Sequence, residues 1–257
     1  MRREGHLKFL FITGTAGSGK SSMTLSLADR LRSAEAEVAT LNMDPGVVWL
    51  PYSPDVDVRD YVNYERMIED YQLGPNGALV ASVDAAVGHV GEMRTELERL
   101  RPEYVVVDTP GQMELFAYRD SGLHAATAIS GGDFTVLFLA DSIFLNSVSD
   151  YISLLLLSYS IHARFKSPQI NCISKVDLLS KELYDKGMAW SSCPESLLDE
   201  FALERPDLKG EISGRILGML IEVGALGEFI FTSSNTGEGL DDLYAQIQRI
   251  HTGGEDR

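Results

Sequence analysis

The sequence predicts an α/β fold with a mainly parallel β-sheet, helices on both of its faces and helical insertions between strands. Two observations carry this. Short, wholly apolar runs bounded by turn residues recur at "LKFLFIT", "EVATLN", "YVVVDT", "FTVLFLA", "INCIS" and "EFIFTS". A strand that is apolar at every position is buried on both faces, as parallel strands under helices are. Between most of these runs lie longer segments with helical periodicity.

Taken in order, the first run leads into a helix marked by Thr24, Leu27, Ala28 and Leu31 at i, i+3, i+4, i+7 spacing. After "EVATLN" comes a long excursion, about 45–103. It contains "LGPNGALV", where Gly74, Pro75, Asn76 and Gly77 suit a tight reversal, and then a helix-like segment from Val87 to Leu100. A second excursion, about 178–227, holds "ESLLDEFALERPDLKG" and "EISGRILGMLIEVGAL", both with helical patterning. The last helix is marked by Leu240, Leu243, Tyr244 and Ile247. Neither excursion has a Ser/Gly linker tract or a repeat, so both are expected as insertions on a single domain, 1–257.

Composition narrows the function. A chain of 257 residues with 44% hydrophobic content can bury a large core. Lys+Arg 22 against Asp+Glu 38 gives a net charge of −16, which repels nucleic-acid phosphates and anionic lipids, and no local basic patch offsets it. The two cysteines, Cys172 and Cys193, have no metal-type or redox spacing, as expected for idle thiols in a reducing cytoplasm. The longest apolar run, "YISLLLLSYSI", is shorter than the roughly 20 residues a bilayer span needs, so no membrane association is expected.

The chemistry is concentrated in "GTAGSGKS", residues 14–21, which fits G-x-x-x-x-G-K-[ST] after an apolar strand and before an amphipathic helix. Gly14, Thr15, Ala16, Gly17, Ser18 and Gly19 would wrap phosphates with backbone N–H groups, and the helix opened by Lys20, Ser21 and Ser22 adds positive potential. Lys20 is placed to reach the β- and γ-phosphates and Ser21 to ligate Mg²⁺. "VVVDTPGQME" supplies the opposite wall. There Asp108 would hold Mg²⁺, the Gly111 N–H would meet the γ-phosphate, and the Gln112 amide could orient water. Asp44, after the second strand, can bind Mg²⁺ through water or orient the nucleophile. Glu114 is a further water-handling candidate, ranked below Asp44 and Gln112 because it could equally serve as a first-turn helix acid.

Two segments address the base. "CISKVDLL" places Ser174, Lys175 and Asp177 at a strand end and resembles the [NT]-K-x-D motif of GTPases, in which the Asp177 carboxylate would accept from guanine N1–H and N2–H₂. Ser174 stands where asparagine is usual and reaches less far, so weaker contact with guanine N7 and with the loop backbone is expected. "FTSSNTGEGLDDL" resembles the S-A-x motif, with Ser233 and the Ser234 N–H near guanine O6.

With these motifs together, the chain resembles a GPN-loop GTPase, a P-loop NTPase family named for the tripeptide present here at Gly74, Pro75 and Asn76. The likeness extends over "LNMDPG", "DVRDYV", "DTPGQME", "SKVDLL" and "TSSNTGEG". It implies GTP and GDP as ligands with Mg²⁺, and a homodimer across the nucleotide faces in which Asn76 of one copy completes the site of the other. It also implies an assembly or transport role, with RNA polymerase subunits or another protein as client. The short chain is more similar to the archaeal, homodimeric members. Two other readings remain at this point: a metabolic P-loop kinase, and a scaffold that holds nucleotide for stability. The apolar segments 144–161 and 212–226 are expected as core, with a client-peptide groove as the alternative.

Overall fold

The computed structural model describes residues 7–193, 195–204, 208–222 and 227–251. Among these residues, seven strands form one parallel sheet: β1 (Lys8–Gly14), β2 (Val38–Asn42), β3 (Val56–Asp57), β4 (Tyr104–Asp108), β5 (Phe134–Asp141), β6 (Gln169–Ser174) and β7 (Phe229–Phe231). Their spatial order is β3-β2-β4-β1-β5-β6-β7. β1 is therefore central, in register with β4 from Lys8↔Tyr104 to Ile12↔Asp108 and with β5 from Phe9↔Phe134 to Gly14↔Leu139. All strands point the same way, so the loops that carry function leave from one edge, as ligand sites of open α/β sheets require.

The period of two explains why the strand runs are wholly apolar. Leu10 and Ile12 of β1 face α1 (Lys20–Ser33) and α10 (Leu240–His251), packing with Leu27, Leu31, Leu243 and Ile247. Phe9 and Phe11 point to the other face, towards α4 (Val90–Leu100), α5 (Asp120–Ser130) and α6 (Val148–Phe165). The Phe11 ring meets Phe116 at 5.8 Å and Phe134 edge-on at 5.2 Å. The stripe expected of α1 is thus buried, that of α10 is buried at Leu240, Leu243 and Ile247 with Tyr244 partly buried, and α6 likewise buries Tyr151, Leu154, Leu155 and Ile161.

Two expectations change. The strand β3 was not legible, because two residues have no periodicity. It is pinned by Asp55, whose Oδ2 accepts from the Thr40 N–H at 2.7 Å and the Thr40 hydroxyl at 2.8 Å. The reversal expected at Gly74 to Gly77 is instead the start of a helix. α2 (Tyr64–Tyr71) ends with Gln72 in the left-handed region (φ 52°), which turns the chain, and Gly74 then caps α3 (Pro75–Ala86). Proline suits the first helical position because its missing N–H would have no helical partner there.

Beyond β6 come α7 (Lys181–Ser192), α8 (Glu195–Glu204) and α9 (Leu208–Glu222). Residues 205–207 and 223–226 of the second predicted insertion lie outside the described residues. Leu217 of α9 is buried, but Ile212, Ile216 and Met219 are 53%, 43% and 59% exposed and form an apolar stripe. Among the described residues, no helix is long and apolar enough to cross a membrane.

Phe11 lies at 0% exposure between three aromatic rings. Phe11→Ala should therefore lower unfolding stability by about 3–5 kcal/mol. Denaturant unfolding measures this, and an unchanged midpoint would mean that this face is not packed as described.

Candidate nucleotide site

The loop after β1 is built on close backbone approach. A Cβ on Gly14 would sit 1.9 Å from the Leu139 carbonyl oxygen, so only glycine fits there. The next residue continues the grip, with the Thr15 N–H donating to the same oxygen at 3.2 Å. Gly19 then adopts φ 85°, a left-handed conformation that lets the chain turn directly into α1. The first turn of α1 itself holds no acidic residue, which leaves its N-terminal positive potential available to an anion.

Lys20 is buried, and its ammonium donates to three carbonyls: Gly14 at 3.1 Å, Thr15 at 3.0 Å and Gly111 at 3.2 Å. Desolvation pushes its pKa below the usual lysine range, against the pull of Asp108, Asp44 and Glu114. Asp44 grips the same Gly111 from the other end, its Oδ2 accepting from the Gly111 N–H at 2.9 Å and its Oδ1 from the Gly46 N–H at 3.0 Å. The Asp44 turn is set in turn by Asn42, which accepts from the Asp44 N–H at 3.0 Å and donates to the Asp44 carbonyl at 3.2 Å. The Gly111 N–H, expected to face a γ-phosphate, thus has a carboxylate as its acceptor.

Asp108 ends β4 at 1% exposure. Its Oδ2 accepts from the Tyr52 hydroxyl at 3.1 Å, while Oδ1 is buried without a well-formed hydrogen bond and Ser21 lies beside the carboxylate. Burial lifts the Asp108 pKa to about 6, which Ser21, Tyr52 and Lys20 oppose and Asp44 reinforces. The Tyr52 hydroxyl is pushed well above the usual tyrosine range, first by burial and then by the Asp108 charge. Among the described residues, no group of three or more His, Cys, Asp or Glu side chains could hold a metal. Ser21, Asp108 and Asp44 nevertheless fit Mg²⁺, which is commonly bound by one or two carboxylates with phosphates and water filling its other positions. The orphaned Asp108 Oδ1 is the atom that such an ion would satisfy.

At the other end of the cleft, Ser174 is 3% exposed, and its hydroxyl lies 2.7 Å from the Ser18 carbonyl and 2.9 Å from that of Ala140. The weak loop contact expected of a serine is therefore corrected: β6 ends beneath the phosphate loop, and the shorter side chain reaches it. Lys175, with φ 61°, pairs with Asp141 at 2.7 Å. The exposed Asp177 accepts from the Ser233 hydroxyl at 2.6 Å and from the Asn235 amide at 3.2 Å, and these bonds hold its carboxyl below the usual carboxylate range. Ser234 is anchored through its carbonyl, which accepts from Ser26 at 3.2 Å.

The resulting cleft of about 340 Å³ is lined by Gly17, Gly19, Lys20, Ser21, Ser22, Asp44, Thr109 and Gly111, with Val47, Trp49 and Pro51 at its side. Gln112 and Asn76 are exposed and do not line it. Glu114 opens a π-helical turn, Glu114–Tyr118, close enough to Lys20 to act on its charge. Sequence reasoning missed Tyr52, Trp49 and Asn235, and noted Asn42 only as part of "LNMDPG", without a role. One signal was available: "VVWLPY" is an apolar string where a polar loop is expected, and it leaves Val48 at 96% and Trp49 at 75% exposure.

Comparison with known proteins agrees with this geometry. The family described as "Conserved hypothetical ATP binding protein" matches residues 12–253. A GPN-loop GTPase of Pyrococcus abyssi is 32% identical over 90% of this chain and 92% of its own length. GPN-loop GTPase 1 of Schizosaccharomyces pombe is 29% identical over 93% of this chain and 67% of its own. The crystal structure of a Pyrococcus abyssi GTPase in apo form superposes with a TM-score of 0.85 at 30% identity, covering 95% of this chain and 97% of that one. Together with the strand-to-helix phosphate loop, the Asp108 wall and the Asp177 pair, these matches show that the chain belongs to the GPN-loop GTPase family.

Proposed function

We propose that this protein binds GTP with Mg²⁺ and hydrolyses it to GDP and phosphate as a homodimeric switch, in which the partner subunit's Asn76 completes each cleft. The observation that carries the dimer is the placement of Asn76. It is exposed on the first turn of α3, outside the cleft of its own chain. A neutral amide there can donate to a phosphate oxygen of a second copy and accept from the attacking water. Because Asn76 is set on a helix behind Pro75, little freedom is lost when it docks.

The remaining chemistry is positioning and charge. Backbone N–H groups of residues 14–20 hold the phosphates, and Lys20 exchanges its carbonyl partners for β- and γ-oxygens. Asp44 is placed to orient water beside Gly111. Ser21 and Asp108 would hold Mg²⁺, which would supply positive charge to the phosphates. Asp177, held ready by Ser233 and Asn235, reads the guanine edge, which adenine cannot reproduce. A role as an assembly factor for a protein client is supported by the exposed stripe Ile212, Ile216 and Met219 on α9.

Asp177→Asn should weaken GTP binding by about 10- to 100-fold and favour xanthosine nucleotides. Competition binding measures this, and unchanged selectivity would remove the guanine assignment. Asn76→Ala should slow single-turnover hydrolysis by about 100-fold with GTP affinity nearly unchanged. Mixing it with Lys20→Ala protein should restore part of the activity, because one composite site then retains both groups. Full activity in Asn76→Ala alone would end the trans-acting reading.

A further inference from the structure

Tyr52 is placed unlike the other side chains around the cleft. It closes the apolar segment that runs beside the cleft through Val47, Trp49 and Pro51, and its hydroxyl turns inward to Asp108 Oδ2 at 3.1 Å. A carboxylate offers two near-equivalent oxygens and rotates between them, since its terminal torsion is broad and two-fold. The Tyr52 bond breaks that equivalence. Oδ2 is occupied by a neutral donor, while Oδ1 is left buried with no well-formed bond.

The segment that carries Tyr52 is itself held from behind. Arg59 donates to the Val47 carbonyl at 3.1 Å and pairs with Asp57 through bonds of 2.6 to 3.1 Å. Asp57 Oδ1 also accepts from the Asn42 amide at 2.9 Å, and that amide fixes the Asp44 turn. One small polar cluster at the ends of β2 and β3 therefore sets both the Asp44 carboxylate and the strap that ends in Tyr52.

We propose that Tyr52 is a positioning residue for the divalent cation: by taking Asp108 Oδ2 it fixes the carboxylate, which Ser21 adjoins, with Oδ1 left free to hold Mg²⁺. This rests on the reading of Asp108 as the Mg²⁺ wall of the cleft. A group that orients a metal-binding carboxylate without touching the ion commonly contributes 10–100-fold to metal affinity. Tyr52 acts through geometry, since its phenol adds no charge to the site.

The test is Tyr52→Phe in the full chain, which keeps the ring and removes only the hydroxyl. A fluorescent GDP analogue is titrated in EDTA and then at increasing MgCl₂. In EDTA the variant should bind the analogue within about twofold of the parent, and the Mg²⁺ concentration that half-saturates the enhancement should rise by about 10-fold. An equal Mg²⁺ midpoint in the two proteins overturns the proposal. So does equal weakening in EDTA and in Mg²⁺, which would make Tyr52 a purely structural strut. If the parent shows no Mg²⁺ enhancement at all, the Asp108 reading falls and this proposal falls with it. Replacement of Tyr52 by Trp, which keeps a large ring but misplaces its donor, should resemble the Phe variant; a Mg²⁺ midpoint equal to the parent's would overturn the role of the hydroxyl.

Discussion

The contact between Gly14 and the Leu139 carbonyl is the constraint on which the site depends. With no room for a Cβ at that point, β1 can end flush against β5, and the Thr15 N–H bonds to the same oxygen. That close fit fixes where the phosphate loop leaves the sheet and the direction in which α1 begins. Lys20 then lands where three carbonyls can receive its ammonium, and Ser174 of β6 comes within reach of the loop from below. In a looser sheet, the same motif would be a glycine-rich turn of undefined direction.

Electrostatics converts this geometry into coupling. Gly111 is held at both of its backbone polar groups, by Asp44 at the N–H and by Lys20 at the carbonyl. Any phosphate oxygen that recruits the Lys20 ammonium competes with the Gly111 carbonyl, and a ligand that takes the Gly111 N–H must displace a carboxylate. The loop that leads into the π-helical turn at Glu114–Tyr118 is therefore tied through Gly111 to both Lys20 and Asp44. Arg164 secures the far end of that turn, donating to the Ala117 and Tyr118 carbonyls at 3.3 Å each and pairing with Asp120 at 2.6 Å. The segment is thus held at both of its ends.

Six strands and the phosphate loop were legible because their signals are local: apolar runs buried on two faces, and glycines at a fixed spacing before a lysine. The rest was hidden for physical reasons. Asn235 belongs to Asp177 across 58 positions, and Tyr52 to Asp108 across 56, so neither pairing leaves a trace in a short window. Gly-Pro-Asn-Gly was misread because proline followed by small polar residues suits a turn and a helix start equally. Gln72, an unremarked glutamine with positive φ, made the reversal instead. Ser174 departed from its motif, but burial beneath the loop supplied the reach that its length did not.

The apolar strap also leaves an optical mark on the molecule. The chain contains two tryptophans. Trp190 is buried and donates to Glu200 at 2.7 Å, whereas Trp49 stands in solvent on the wall of the cleft. An indole in water emits further to the red than one in a packed interior, so the two contribute distinguishable bands. Changes in what surrounds the cleft fall mainly on the redder one, which makes the polypeptide its own spectroscopic probe without any attached dye.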